Sequence, residues 1–398
     1  MWDKYACYEF FHPFGMVLFF ILQISYGSFE ASMNDHIKFP SFYHMAPNEA
    51  LQYQGIIQLL LHFGWKWVGL ITPANEAGER FLNTIEPMFF KNGICSAFTE
   101  RVEHHVRFKD NILHMVDDTK ILSPTFIRSK ANAVVVYGES ASIIWLSTAL
   151  TIMKLTEFIL SQSKKNLPEG KVWITTAQID FIVYVLQKLI DVNIQMFHGA
   201  ISFAIHSKEI HDFRYFLQNV NPSWEEVNGF ITGFWEQAFD CSFADSAKST
   251  YKAKHCTGEE MLESLPASFF EMRMTSHSYS IYNAVSALAH ALHRHMGASN
   301  HRRMEAAGRR SPQNIEPWKL HSFLQKISFN NSVGDEIALN ERGELAAGFD
   351  ITNLITFPNR SYIRVKVGRL DPQAPAGKEL TINDGQIKWH RDLTQVRK

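Results

Sequence analysis

The sequence predicts an α/β protein whose core is a parallel, doubly wound sheet. Two observations carry this. Between Trp65 and Ile205, short apolar runs rich in β-branched residues alternate strictly with amphipathic helical stretches. The central runs, such as Ala133–Tyr137 (AVVVY), are apolar throughout, as strands covered on both faces must be. A chain of 398 residues that is 46% hydrophobic also has core enough for two domains.

Taken in order, Gln23–Tyr26 reads as a short strand, followed by the small-residue turn Gly27-Ser28 and a polar loop to Pro47-Asn48. Gly and Ser directly after a strand let a ligand approach the backbone, with N–H groups and a hydroxyl on offer. Such strand ends are where α/β sheets bind small molecules, so Gln23–Glu49 is the candidate ligand wall. Asn48 is placed to cap a helix whose stripe is Tyr53, Ile56, Ile57, Leu60 and Phe63, ended by Gly64. Trp65–Ile71 follows as a buried strand. Phe81, Leu82, Ile85, Met88 and Phe89 mark the next helix, closed by Gly93, with Pro87 expected to kink or shorten it.

A strand at Cys95–Phe98, a helix in Phe108–Leu122 and the core strand Ala133–Tyr137 come next. Then follow a helix (Ser142–Lys154), a strand (Val172–Thr175), a helix (Ile179–Ile190) and a strand (Gly199–Ile205). Beyond Ile205 the alternation stops. Helices are expected at His211–Asn219, Trp224–Phe239, Tyr279–His295 and Pro317–Lys326, with the basic tract Met296–Ser311 as a surface loop. The end is strand-rich: Glu336–Leu339, Phe349–Phe357, Tyr362–Val367 and Leu380–Ile382, with Asp371–Lys378 as a Pro/Gly loop. Trp65, Trp67, Trp173 and Trp235 are core candidates.

Composition and motifs narrow the function. A formal net charge of −1 gives no basic field for nucleic acid. There is no G-x-G-x-x-G or G-x-x-x-x-G-K-[ST] for phosphates, no G-x-S-x-G elbow and no H-E-x-x-H. No catalytic residue, cofactor or metal is therefore expected. His290, His293 and His295 are read as surface histidines favoured near a helix C-terminus, not as ligands of a metal.

There are four cysteines, Cys7, Cys95, Cys241 and Cys256, none with metal-ligand spacing. Cys241 and Cys256 flank a polar loop; they either staple it in an oxidising compartment or remain free thiols. Asn330 and Asn359 open N-glycosylation sequons, which favours that compartment. The apolar run Phe14–Leu22 reads as a signal-like segment, as a buried element or as sequence from a misplaced start, and is too short to span a bilayer.

Several stretches together resemble the extracellular Venus-flytrap region of class C G-protein-coupled receptors, most of all the vomeronasal type-2 (pheromone) receptors. They are Gln23–Phe29 (QISYGSF), Phe39–Glu49 (FPSFYHMAPNE), His62–Ile71 (HFGWKWVGLI), Val172–Thr176 (VWITT), Asn228–Cys241 with Cys256–Glu259, Tyr279–Leu292 and Gly343–Gly368. The resemblance implies a two-lobed, type I periplasmic-binding-protein-like clamshell, each lobe a mainly parallel sheet flanked by helices. Lobe 1 is expected in 23–46 and 206–350, lobe 2 in 47–205 and 351–390. Residues 1–22 form an atypical N-terminus, and 391–398 a tail leading toward a cysteine-rich module. A small or peptide ligand binds between the lobes, and closure acts through a receptor dimer partner. A heterotrimeric G protein is reached only through a seven-helix domain outside this chain.

The resemblance also assigns residues. Ser28 and Phe29 match the turn that binds an amino-acid head group, with Phe29 where a hydroxyl is common. Glu49 matches an acidic pocket residue, Ala77 stands for a stacking tyrosine and Ala177 for a carboxylate. Cys241–Cys256 resembles the family's loop disulfide, and Cys95 the cysteine that bonds the cysteine-rich module. The opening of lobe 1 has no counterpart here, so that lobe is expected to be truncated at its N-terminus. The second reading is a truncated soluble binding module, a decoy or non-functional product. An enzyme is the third class, with no motif behind it.

Overall fold

The computed structural model describes residues 22–27, 38–102, 129–139, 142–143, 145–151, 171–179, 194–223, 230–243, 254–265, 270–305, 317–358 and 361–390. The expected helices Phe108–Leu122 and, but for its first residue, Ile179–Ile190 lie outside these, as do residues 1–21. The strands are β1 (Gln23–Ser25), β2 (Phe42–His44), β3 (Trp67–Pro73), β4 (Cys95–Val102), β5 (Ala133–Val136), β6 (Val172–Thr175) and β7 (Ile201–Ile205). They continue as β8 (Cys241–Ser242), β9 (Lys254–His255), β10 (Ser328–Asn330), β11 (Glu336–Ala338), β12 (Phe349–Thr356), β13 (Tyr362–Leu370) and β14 (Leu380–Ile382). The helices are α1 (Ala50–His62), α2 (Glu76–Lys91), α3 (Phe213–Asn219), α4 (Phe230–Phe239), α5 (Ser276–Glu305) and α6 (His321–Leu324).

An eight-stranded sheet runs in the order β14-β13-β12-β7-β6-β5-β3-β4. From β4 to β7 every pairing is parallel; β12, β13 and β14 add to the far side antiparallel. The parallel part follows from its residues. Successive side chains of a strand point to opposite faces, so all-apolar runs need cover on both. Leu70, Val135, Ile174 and Phe203 pack on one face with Ile56 and Leu60 of α1 and Phe81 and Ile85 of α2. Ile71, Val134, Val136 and Trp173 pack on the other with Ile143, Leu146 and Leu150 from helical residues 142–143 and 145–151.

A third cluster lies apart from this sheet. Tyr43 and Met45 meet Ala287 and Ala291 of α5, Leu324 of α6, and Phe329 and Ile337 of the β10–β11 hairpin. Alanines on α5 leave room for the large side chains of β2 to approach. β1 and β2 pair in parallel, and His44 on the other edge of β2 bridges to Glu344.

The structure corrects five expectations. The polar loop before Pro47 contains β2, whose Tyr43 is almost fully buried. Trp67 is not core: it is 51% exposed, opening β3 at the rim of the sheet opposite Cys95, the exposed first residue of β4. α5 runs on to Glu305 through most of the tract expected as a loop, because Ala, Met, Arg and Glu outweigh the single Gly297 and no proline comes before Pro312. Pro87 does not shorten α2, which reaches Lys91; Pro87 and Asn83, whose carbonyl loses its partner, are both exposed to water. The helix expected over Pro317–Lys326 is a 3₁₀ turn (Pro317–Leu320) followed by the single turn of α6.

Candidate functional site

Polar groups gather at the C-terminal ends of β3, β5 and β6, where α1 begins. Glu49 stands immediately before α1 and is half-buried. Asn48, the expected cap, accepts from the Ala50 N–H at 2.9 Å, and its amide donates to Glu344 Oε1 at 2.8 Å. Fixing α1 there aims Glu49 at the ends of β5 and β6. Tyr137, the first residue after β5, donates to Glu49 Oε1 at 2.7 Å, and Gln178 Nε2, past the end of β6, donates to the same oxygen.

Tyr53, one turn into α1, lies within electrostatic reach of Glu49 and Tyr137. Burial pushes the phenols of Tyr53 and Tyr137 well up, and the Glu49 carboxylate adds to it, so both remain donors at any physiological pH. Phe81 fixes the rings: it stacks on Tyr137 with centroids 4.3 Å apart and meets Tyr53 edge-on at 5.4 Å.

The site residues expected from the sequence distribute as follows. Ala177 is buried, and its N–H donates to Gln52 Oε1 at 2.8 Å; Ala77 is half-buried at the start of α2. Ala177, next to Gln178, brings a methyl group and not charge beside Glu49, while Ala77 packs against the core cluster of Tyr53, Phe81 and Tyr137. Ser28 and Phe29 lie outside the described residues. The turn leading to them is placed: Met45 N–H bonds the Ser25 carbonyl at 2.7 Å, and a Cβ on Gly27 would fall 2.6 Å from the His277 ring. Glycine at 27 therefore lets the turn lie against the start of α5.

Cys241 and Cys256 are joined by a disulfide that closes the polar loop. Cys95 is a free, exposed thiol, and Cys7 lies outside the described residues. Asn330 is exposed on β10, and Asn359 is not among the described residues. His290 stacks on Phe329 and His295 meets Phe323 edge-on; no group of three or more potential metal ligands occurs among the described residues.

Sequence reasoning missed Tyr137, Gln178, Tyr53 and Gln52 as site residues, having read Tyr137 and Tyr53 as core. The available signal was a lone tyrosine at the end of an all-aliphatic strand. It also missed a set of buried polar atoms on the same strand ends. Thr72 Oγ1, Ser142 Oγ, Thr176 Oγ1, Gln52 Nε2 and Gln178 Oε1 find no partner among the described residues. Buried polar atoms are nearly always satisfied, so these atoms are open to water or to the polar atoms of a ligand, as are others elsewhere such as Ser280 Oγ.

The carboxyl ends of a parallel sheet's strands are where α/β folds hold their ligands. The chain belongs to the receptor family ligand binding region, whose family model matches residues 17–356. This is a family of receptor ligand-binding regions with a periplasmic-binding-protein-like fold, not of enzymes, and the chain is such a region of the class C G-protein-coupled receptor type. It is 29% identical to vomeronasal type-2 receptor 116 of Mus musculus over 94% of its length, and 29% identical to vomeronasal type-2 receptor 26 of the same organism over 95%. It is 26% identical to the extracellular calcium-sensing receptor of Homo sapiens over 94%. The chain spans 41% of each vomeronasal relative and 34% of the calcium-sensing receptor. Among the described residues no helix is long and apolar enough to cross a membrane.

Proposed function

We propose that the chain is the ligand-binding ectodomain of a receptor of the vomeronasal type-2 kind, on the extracellular side of the plasma membrane, taking a small or peptide ligand between two lobes. The lobes are read as 23–46 with 206–350 and 47–205 with 351–390. The observation that carries the reading is the meeting of Glu49, Tyr137 and Gln178 at the strand ends, beside buried hydroxyls that find no partner among the described residues.

Ser28 and Phe29 are proposed as the facing contribution from lobe 1, with Ala77 and Ala177 as small, apolar wall positions. A ligand that touches both lobes drives closure only by its differential affinity for the closed form. Closure then acts through a receptor dimer partner and, in a full-length receptor, through a seven-helix domain on a heterotrimeric G protein.

The test is a chimera in which this chain replaces the matching region of a vomeronasal type-2 relative. Calcium responses are recorded against fractionated peptide and small-molecule secretions. A response that Glu49→Ala abolishes at equal surface expression is expected. A response untouched by Glu49→Ala and by Tyr137→Phe would remove the site. Correct surface display with silence to every fraction would remove the receptor reading.

A further inference from the structure

We propose that His206 is a proton-operated tie between the eight-stranded sheet and the layer built on α5. His206 is the first residue after β7, and both ring nitrogens meet carboxylates. Nδ1 lies 2.8 Å from Asp350 Oδ2 on β12, and Nε2 lies 3.2 Å from Asp335 Oδ2, directly before β11. An ionised carboxylate only accepts, so both contacts are hydrogen bonds only when each nitrogen carries a hydrogen. A neutral imidazole has one N–H and serves one aspartate; the imidazolium serves both.

The two carboxylates belong to different parts of the molecule. Asp350 lies in the sheet, where Lys366 of β13 sits 2.7 Å from its other oxygen. Asp335 belongs to the β10–β11 hairpin and takes the Tyr279 hydroxyl of α5 and the Lys208 ammonium. Asn331 holds that hairpin to α5: its amide donates to Tyr279 Oη at 2.7 Å and Asn283 Oδ1 at 3.0 Å, and its Oδ1 accepts from the Asp335 N–H. Among the described residues, Asp350, Lys366, Asp335, Lys208 and Tyr279 are the titratable groups placed around His206, with the Tyr279 ring edge-on to it at 6.1 Å.

Burial works to raise both carboxyls, but bonds and charge from His206 and the lysines, with Tyr279 at Asp335, outweigh it and hold them below the usual range. Each lysine faces the carboxylate oxygen that the ring does not. Losing the proton from His206 therefore releases one carboxylate and breaks the path Asp350–His206–Asp335, with both anions still in place. The inference does not depend on what the strand-end site binds.

The experiment uses the full chain with ¹⁵N-labelled histidine. Ring nitrogen shifts report the protonation of His206, and amide exchange over 331–338, corrected for intrinsic rates, reports the tie. As the ring loses one proton across a pH titration, hairpin protection is expected to fall about tenfold, with a flat profile in His206→Gln. Should His206→Gln fail to fold, Asp335→Asn, which keeps the ring but removes one anion, is expected to flatten the profile as well. A profile of unchanged slope in the folding variant, or protection in the wild type that ignores the ring's titration, overturns the proposal.

Discussion

Tyr137 donates its phenol hydrogen to Glu49 Oε1 over 2.7 Å, joining the end of β5 to the start of α1 across 88 residues of chain. The acceptor is a carboxylate and the donor is buried, which is where a hydrogen bond counts for most. Tyr137→Phe should lower unfolding free energy by about 1.5–3 kcal/mol in urea titrations. Glu49→Gln, which keeps an acceptor oxygen, should lose less. Equal stability of Tyr137→Phe and wild type would mean that the bond is not formed in solution.

The same pairing bears on ligand choice. Glu49 already receives Tyr137 and Gln178, and Ala77 and Ala177 offer only methyl groups. The charged ends of a free amino acid would be desolvated with poor partners, at a cost of kilocalories. Isothermal calorimetry with glutamate and other simple amino acids should show no submillimolar binding. Heat that disappears in Glu49→Ala would refute this.

Gly55 lies in the interior of α1, where alanine would normally stabilise a helix by about 1 kcal/mol. Here a Cβ would sit 2.6 Å from Phe203 Cε1 and 2.7 Å from Leu370 Cδ2, both on buried side chains with little room to retreat. Gly55→Ala should therefore destabilise the chain by about 1–3 kcal/mol. A rise in melting temperature would show that α1 packs less closely on β7 and β13.

The Cys241–Cys256 bridge closes a loop with a sequence separation of 15. Removing it with the double variant Cys241→Ser, Cys256→Ser should cost about 3 kcal/mol through the freed unfolded chain. Unchanged denaturation midpoints under reducing and non-reducing conditions would contradict that role.

Beside the bridge, Glu260 accepts from Trp235 Nε1 and the Gly258 N–H through one oxygen and from the Thr257 N–H through the other. Burial acts to raise this carboxyl, but those bonds outweigh it and bring it down to about 2. A depressed folded-state value means that Glu260 stabilises the fold above its ordinary range and loses that contribution as pH falls from about 5 toward about 2. Trp235 fluorescence should report loosening over that window, and Glu260→Gln should remove the acid-dependent step. The same acid step in Glu260→Gln would assign it to another group.

The central strands were legible because Ala133–Val136 and its neighbours carry one unmixed signal, apolar and β-branched, bounded by turns. β2 was not, since three residues are too few for a period to show, and its place is fixed by long-range contact with Ala287 and Ala291. Trp67 was misjudged because strand periodicity gives the face of a side chain but not its distance from the rim. Glu49 stood out through the resemblance. Tyr137 and Gln178 did not, because their role exists only once strands far apart in sequence stop at the same level.

The pairing of β7 with β12 sets Ile205 directly opposite Phe349. The chain leaves the sheet and comes back to it one strand spacing away, about 5 Å. The segment between these residues is therefore an insertion whose two ends nearly touch, and the chain before α1 packs into it through Tyr43 and Met45. Such a part can be lengthened between relatives without re-registering a strand of the sheet that carries it. A short turn from 205 to 349 would convert the same pairing into a plain hairpin.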